Sequence, residues 1–193
     1  MNLEILYTAI YSYILGSIPF GLILTKFFLN KDLRDIGSGN IGATNVLRTG
    51  KKSLGIFTLL LDGLKAYIAV SITLIYFLDY IYLSALLCFL GHIFPVWLKF
   101  KGGKGIAVFL GILFALSIKL GIIFIICWGS ILYLTKFSSI ASLISTGIIF
   151  LYSIYLKNSS ESFFFFIILI TVIYTHRDNI TRLKNKTENK INL

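Results

Sequence analysis

Charge is what this chain has least of. Asp, Glu, Lys and Arg make up 13% of its 193 residues, against roughly 25% in soluble domains. Too little polar surface remains to face water, so a soluble globule is excluded. Cysteine is almost missing. Cys88 and Cys127 lie inside apolar runs with no CxxC or metal-ligand spacing, which removes a disulfide framework and leaves both as packing residues. Acidic residues are few, eight against eighteen Lys and Arg, for a net charge of +10. In a soluble chain that excess would suggest nucleic acid. On an apolar body it points to anionic headgroups or an anionic substrate, with no nucleic-acid partner. There is no long polar insert, so residues 1–193 are expected to form one domain. The start, Met1-Asn2-Leu3-Glu4, lacks the basic residues of a signal peptide. No small-x-small cleavage site follows the first apolar run, which is expected to stay as a membrane helix.

Hydrophobicity dominates what is present: 57% of residues are apolar and the mean hydropathy is +0.88. Apolar runs cover about 3–25, 54–78, 81–98, 105–118, 120–136, 140–156 and 162–176. About 17–25 helical residues cross roughly 30 Å of hydrocarbon. The first two runs meet that length readily, whereas the fourth, sixth and seventh are short and need tilt or a thinned bilayer. The expected fold is therefore an all-α polytopic membrane protein with seven transmembrane helices, with five crossings as the alternative. Lys26, Lys31, Arg34, Arg48, Lys51, Lys52, Lys99, Lys101, Lys104, Lys136 and the tail's Arg177, Arg182, Lys184, Lys186 and Lys190 fall on one side of this arrangement. Asp79, Lys119, Lys157 and Glu161 fall on the other. The positive-inside rule then places the N-terminus outside and the C-terminus in the cytoplasm. The segment after residue 183 is expected to fray. No internal repeat is visible.

Two connections are richer than linkers need to be. Gly37-Ser38-Gly39-Asn40-Ile41-Gly42-Ala43-Thr44-Asn45-Val46-Leu47-Arg48 contains a formal GxGxxG, but no strand precedes it inside a βαβ unit, so it is no dinucleotide fingerprint. Its glycines allow tight turns, and Ser38, Asn40, Thr44 and Asn45 are short hydrogen-bonding groups. Arg34 and Arg48 can each grip two phosphate oxygens or simply set topology. Lys101-Gly102-Gly103-Lys104-Gly105 is not Walker A, because Gly105 stands where a Mg²⁺-ligating hydroxyl belongs. It reads as a glycine turn opening a helix whose free N–H groups, with Lys104, attract phosphate. His92, before Pro95, is either a satisfied helix-end residue or a site member.

Smaller polar groups complete the set. Asp62 and Lys65 interrupt an apolar helix at i,i+3 and share a face. Ser138, Ser139 and Ser142 open the sixth run, where one serves as a cap and the others are available to substrate. His176, Asn179 and Arg182 follow at i,i+3 spacing. His176 is equally consistent with a structural role and a site role.

These blocks together resemble the bacterial membrane glycerol-3-phosphate acyltransferases that use an acyl phosphate donor, the PlsY family. The resemblance runs along essentially the whole chain. It rests on Gly16-Ser17-Ile18-Pro19, Gly37 to Arg48, Leu61-Asp62 with Lys65, Gly91-His92 with Phe94-Pro95, Lys101 to Gly105, and His176 with Asn179-Ile180, Arg182-Leu183 and Glu188. One departure stands out: Lys186 occupies a position where the family pattern ordinarily has glycine.

The resemblance implies an enzyme of phospholipid biosynthesis in the bacterial inner membrane, with its site facing the cytoplasm. It would move an acyl group from acyl phosphate to the 1-hydroxyl of glycerol 3-phosphate, giving lysophosphatidic acid and phosphate. Ser38, Asn45, His176 and Asn179 are the candidate catalytic residues. Asn40, Thr44, Arg48, Gly102, Gly103, Lys104, Gly105, Ser142 and Arg182 are candidates for holding substrate and phosphate, supported by Asp62, Lys65, His92 and Glu188. The substrates are joined as partners by membrane lipids, with functional coupling to an enzyme that makes the acyl phosphate.

A mixed anhydride is already activated, so no covalent intermediate, metal or cofactor is needed. The hydroxyl proton goes to the donor's phosphate or to His176. No GxSxG elbow is present, and Trp97 and Thr181 stand where an HxxxxD acyltransferase would have Asp. An acyltransferase using a CoA or acyl-carrier-protein donor is the enzymatic alternative, and an anion transporter or a lipid-binding scaffold the other classes. Against transport, the polar residues gather at one membrane face instead of running through the midplane.

Overall fold

In hydrocarbon, every backbone N–H and C=O must be paired within the chain, so apolar segments of this composition become helices. The computed structural model describes residues 3–156 and 158–191, which leaves Lys157 outside the described residues. All regular structure there is helical, in two compact units that divide between Leu116 and Ser117.

The first unit holds α1 (Leu3–Ser17), α2 (Phe20–Leu29), α3 (Ala43–Leu47), α4 (Lys52–Tyr76), α5 (Ile81–Ile93) and α6 (Ile106–Leu116). α1 packs on α4 and α5, and α4 packs on α6. The α1–α5 approach is close enough that a Cβ on Gly16 would stand 2.1 Å from the Cys88 carbonyl oxygen. Hydrogen bonds cross the interfaces: Ser12 Oγ to Ser84 Oγ at 2.8 Å, and Tyr11 to Thr73 Oγ1 at 2.5 Å. Thr8, Ser12, Thr73 and Ser84 are fully buried while Phe27 is 77% exposed. Small polar residues inside and large apolar ones outside suit helices packed in lipid.

The second unit holds α7 (Ile118–Thr135), α8 (Ser138–Tyr155), α9 (Ser159–Thr175) and α10 (Arg177–Lys184). α8 packs against both α7 and α9. Ile149, Phe164, Phe165, Ile168 and Val172 are buried, and Trp128 Nε1 donates to Ser142 Oγ at 3.1 Å. α10 turns away from α9 by 57°.

Each of the seven apolar runs contains a helix, but they differ in reach. Five stretches among the described residues are long and apolar enough to cross a membrane, and the bent α9–α10 pair makes up to six. α6, with eleven residues, is only about 16 Å long at 1.5 Å per residue. The first run also differs from expectation. It breaks at Ile18–Pro19 and resumes as α2 through Leu29, because proline has no N–H to continue the ladder. The carbonyls exposed by the break are paired: Ser17 O accepts from Trp97 Nε1 at 2.7 Å, and Ile18 O from Lys65 Nζ at 2.6 Å.

Candidate active site

The first loop is held in shape before any ligand arrives. Leu33, Ile41, Val46 and Leu54 form a buried apolar cluster flanked by Leu22, Leu29, Ile36 and Leu98, which anchors both ends of the Gly37–Gly42 excursion. Inside that excursion Asn45 is the organising side chain. Its Nδ2 lies 3.2, 2.8 and 2.8 Å from the carbonyl oxygens of Leu33, Ile36 and Asn40, and its Oδ1 accepts from Ser38 N at 3.1 Å. Asn45 is buried and its hydrogen-bonding capacity is used by the loop itself. Asn40 Oδ1 likewise accepts from Gly42 N at 2.9 Å. Gly37 adopts φ +56°, and a Cβ there would lie 2.8 Å from Arg48 Cδ. Glycine at 37 thus permits both the turn and the seat of the Arg48 stem.

Three side chains remain outward. Ser38, Thr44 and Arg48 are exposed, on a backbone fixed from beneath by Asn45. Arg34, by contrast, is committed to Asp32, with contacts of 2.9 Å from Nε to Oδ1 and 2.6 Å from Nη2 to Oδ2. The guanidinium beside it holds the Asp32 carboxyl down to about 2.

The second loop is built on the end of α5. Gly102 N donates to Ile93 O at 2.9 Å and Gly103 N to His92 O at 3.0 Å, so these two amides cap α5 and do not point outward as free donors. The positive charge at this turn comes from Lys104 and from the first N–H groups of α6, which lack intrahelical partners. Beneath the turn sits a buried charged cluster. Lys65 Nζ is 2.8 Å from Asp62 Oδ1 and 3.1 Å from His92 Nδ1, and all three residues are at most 4% exposed. Their contacts join α4 and α5 to the carbonyl released by the break at Ile18.

In the second unit the organising group is Glu188. Its Oε1 accepts from Ser139 Oγ at 2.9 Å and Asn179 Nδ2 at 2.5 Å, and its Oε2 from Arg182 Nε at 2.7 Å. Burial pushes the Glu188 carboxyl up, but hydrogen bonds from Asn179, Arg182 and Ser139 outweigh it and leave the group below its ordinary range. The tail is further tied by Ile191 N to Lys136 O at 2.8 Å, so the segment expected to fray is held by hydrogen bonds among the described residues. Lys186, at φ +58°, makes the turn that brings Glu188 back. His176 Nδ1 lies 2.9 Å from Val172 O. A carbonyl only accepts, so Nδ1 carries the proton and the neutral ring keeps its lone pair on Nε2.

Ser142 Oγ is 2.8 Å from Ser138 O. No serine side chain caps α8, whose entry is shaped instead by Phe137 N donating to Thr135 Oγ1 at 3.2 Å. Among the described residues no three of His, Cys, Asp and Glu gather where a metal ion would sit. Sequence reasoning placed Glu188 among the supports but missed its bond to Ser139, 49 positions away. It also missed Trp97 as a partner of Ser17. The one available signal for the latter was Pro19, which had to leave carbonyls in need of donors.

Comparison with known proteins agrees along nearly the full length. The family model described as Glycerol-3-phosphate acyltransferase matches residues 6–186. A glycerol-3-phosphate acyltransferase of Pelagibacter ubique is 54% identical over 188 residues, covering 97% of this chain and 98% of the relative. One from Rhodopseudomonas palustris is 47% identical over 180 residues, covering 93% and 92%. Two crystal structures of PlsY, an integral membrane glycerol 3-phosphate acyltransferase, superpose with TM-scores of 0.90 (glycerol 3-phosphate form) and 0.88 (lysophosphatidic acid form). They are 36% and 35% identical to this chain and cover 97% of it, which in turn spans 96% and 95% of them. On this agreement of motifs, helices and relatives, the chain belongs to the PlsY family of glycerol-3-phosphate acyltransferases.

Proposed function

We propose that this enzyme transfers a fatty acyl group from acyl phosphate to the 1-hydroxyl of sn-glycerol 3-phosphate, releasing 1-acyl-sn-glycerol 3-phosphate and inorganic phosphate. The observation that carries this reading is the first loop: a backbone rigidified by Asn45 offers Ser38, Thr44 and Arg48 outward, as a site for an anionic substrate should. Support also comes from the relatives, whose crystal forms are named for the acceptor and the product of such a transfer.

In the reaction the acceptor oxygen attacks the acyl carbon, the bond from that carbon to the phosphate oxygen breaks, and the leaving phosphate takes the hydroxyl proton. His176 Nε2, which carries the lone pair in the neutral ring, is the alternative proton acceptor. Arg48, Lys104 and the first amides of α6 hold phosphoryl oxygens. Gly102, Gly103 and Gly105 shape the turn that presents them. Ser38 donates to the carbonyl oxygen as charge develops there. Asn40 and Asn45 act by holding the first loop. Asn179 and Arg182, set by Glu188, and Ser142 are the further residues assigned to this reaction.

The whole chain works as one acyltransferase domain in the bacterial inner membrane, among lipids that deliver the acyl chain. Its seven crossings include α6, the N-terminus lies outside, and the basic connections with the site face the cytoplasm. An enzyme making the acyl phosphate would supply its donor.

The deciding assay gives purified protein glycerol 3-phosphate with synthetic acyl phosphate, acyl-CoA or acyl-carrier protein, and measures lysophosphatidic acid by mass spectrometry. Product from acyl phosphate is expected; product from a thioester alone would overturn the donor assignment. Lys104→Ala should raise KM for glycerol 3-phosphate or abolish turnover, and wild-type kinetics would remove Lys104 from the site. His176→Gln with wild-type kcat would leave the leaving phosphate as the proton acceptor.

A further inference from the structure

Acyl transfer does not by itself call for a charged cluster buried beneath the second loop, yet Asp62, Lys65 and His92 form one. The geometry fixes its protons. An ammonium has three N–H groups and no lone pair. Lys65 Nζ donates to Ile18 O at 2.6 Å and meets His92 Nδ1 at 3.1 Å, and it is ion-paired with Asp62 Oδ1 at 2.8 Å, an oxygen that has no hydrogen-bond partner among the described residues. His92 Nδ1 therefore accepts, and the ring's own proton sits on Nε2.

That N–H is aimed at the phosphate loop. A Cβ on Gly103 would stand only 2.0 Å from His92 Nε2, so the ring edge lies directly against the glycine. Among the described residues Nε2 has no hydrogen-bond partner, although His92 is only 4% exposed. The neighbouring amides of Gly102 and Gly103 are turned away to α5. A donor on a ring this nearly shielded from water needs a partner, and here it borders a turn whose own glycine amides are already used.

We propose that His92 Nε2–H is a hydrogen-bond donor to a phosphoryl oxygen held at the Gly102–Lys104 turn, and that Lys65 is the positioning residue that keeps His92 in this tautomer. Gly103 is then the residue whose missing side chain lets the donor reach the ligand. The proposal rests on the reading that this turn holds a phosphoryl group, and it adds a named donor and the device that orients it.

The test uses the full chain in detergent, labelled with ¹⁵N-histidine. The chain has two histidines, and their ring protons should sit on opposite nitrogens: Nε2 in His92 and Nδ1 in His176. His92→Gln assigns the signals. Titration with inorganic phosphate, and separately with glycerol 3-phosphate, should move the His92 Nε2 resonance along the binding curve, and Lys104→Ala should weaken that curve about tenfold.

Turnover supplies a second readout. His92→Gln, whose amide keeps a donor near Nε2, should hold KM for glycerol 3-phosphate within about threefold. His92→Leu should raise it about tenfold or more with a smaller change in kcat. The charge-neutral pair Lys65→Met with Asp62→Asn should blur the His92 tautomer and raise KM as His92→Leu does.

A His92 proton found on Nδ1, or equal KM changes in the Gln and Leu variants, would overturn the proposal. If phosphate binds in a Lys104-dependent way while the Nε2 resonance stays still, the proposal fails and the phosphate-loop reading stands. If phosphate binding does not depend on Lys104, both fall. Should His92→Leu fail to fold, the tautomer and titration results on the wild-type chain decide.

Discussion

Replacing Lys186 with glycine should tighten the C-terminal turn, and the size of the effect can be worked from the backbone. Lys186 lies at φ +58°, where its N–H donates to Leu183 O at 3.2 Å and the next N–H, that of Thr187, to Arg182 O at 2.8 Å. This reversal returns the chain so that Glu188 reaches Asn179, Arg182 and Ser139. A side-chain-bearing residue loses about 1–2 kcal/mol in the left-handed region. Glycine does not, but its freedom in the open chain gives back about 0.4–1 kcal/mol. The net gain is about 0.5–1 kcal/mol, or a two- to fivefold smaller opening constant. Hydrogen exchange followed by mass spectrometry on the peptide covering residues 185–191 should show that much added protection. Lys186→Ala removes the same long side chain and keeps the strained φ, so it should gain nothing. No added protection in the glycine variant, or the same gain in the alanine variant, would refute the strain argument.

Glu188 makes the same turn sensitive to acid. Its folded carboxyl lies below the ordinary value of 4.5, so its contribution is fully present above that value and is lost as pH falls through the folded one. Protection of residues 187–191 should therefore hold from neutral pH down to about 4.5 and drop as the pH is lowered further in the wild type, and a Glu188→Gln variant that drops just as steeply would contradict this. Asn45→Ala removes the side-chain partner of Asn40 O and of the Ser38 N–H and leaves Leu33 O and Ile36 O with their backbone donors alone, so the chain should lose about 2–3 kcal/mol, read as a lower Tm in detergent; an unchanged Tm would show that the loop does not depend on this amide. Arg48→Ala should leave Tm unchanged while raising KM for glycerol 3-phosphate about tenfold or more. A fall in Tm that accounts for the lost activity would make Arg48 structural.

Much of the architecture was legible because lipid restricts the choices. Once charge is too scarce for a water-facing surface, apolar runs must become helices, and all seven runs contain one. The basic connections stood out for the same reason, since little else in the chain is polar. Gly37 and Gly103 could be picked out as turn formers, but their reasons for being glycine lay elsewhere in the chain. Gly37 makes room for the Arg48 stem, 11 positions on in the sequence. Gly103 makes room for the ring of His92 on α5.

Roles were harder to read than positions, because a polar residue in a loop has the same letter whether it faces outward or is used up within. Asn45 was expected among the catalytic residues, and its donor and acceptor groups meet four backbone partners. The amides of Gly102 and Gly103 looked free because a glycine turn opening a helix usually leaves them so; here the end of α5 takes them first. Lys186 looked like an awkward replacement for glycine, and its positive φ shows why glycine suits the position. The turn still forms because the returning segment is secured at two further points, Glu188 and Ile191. In each case the deciding partner was a backbone carbonyl or a residue far along the chain. Spacing along a helix can reveal a shared face, as it did for Asp62 and Lys65, but it carries no information about which orphaned carbonyl that face will meet.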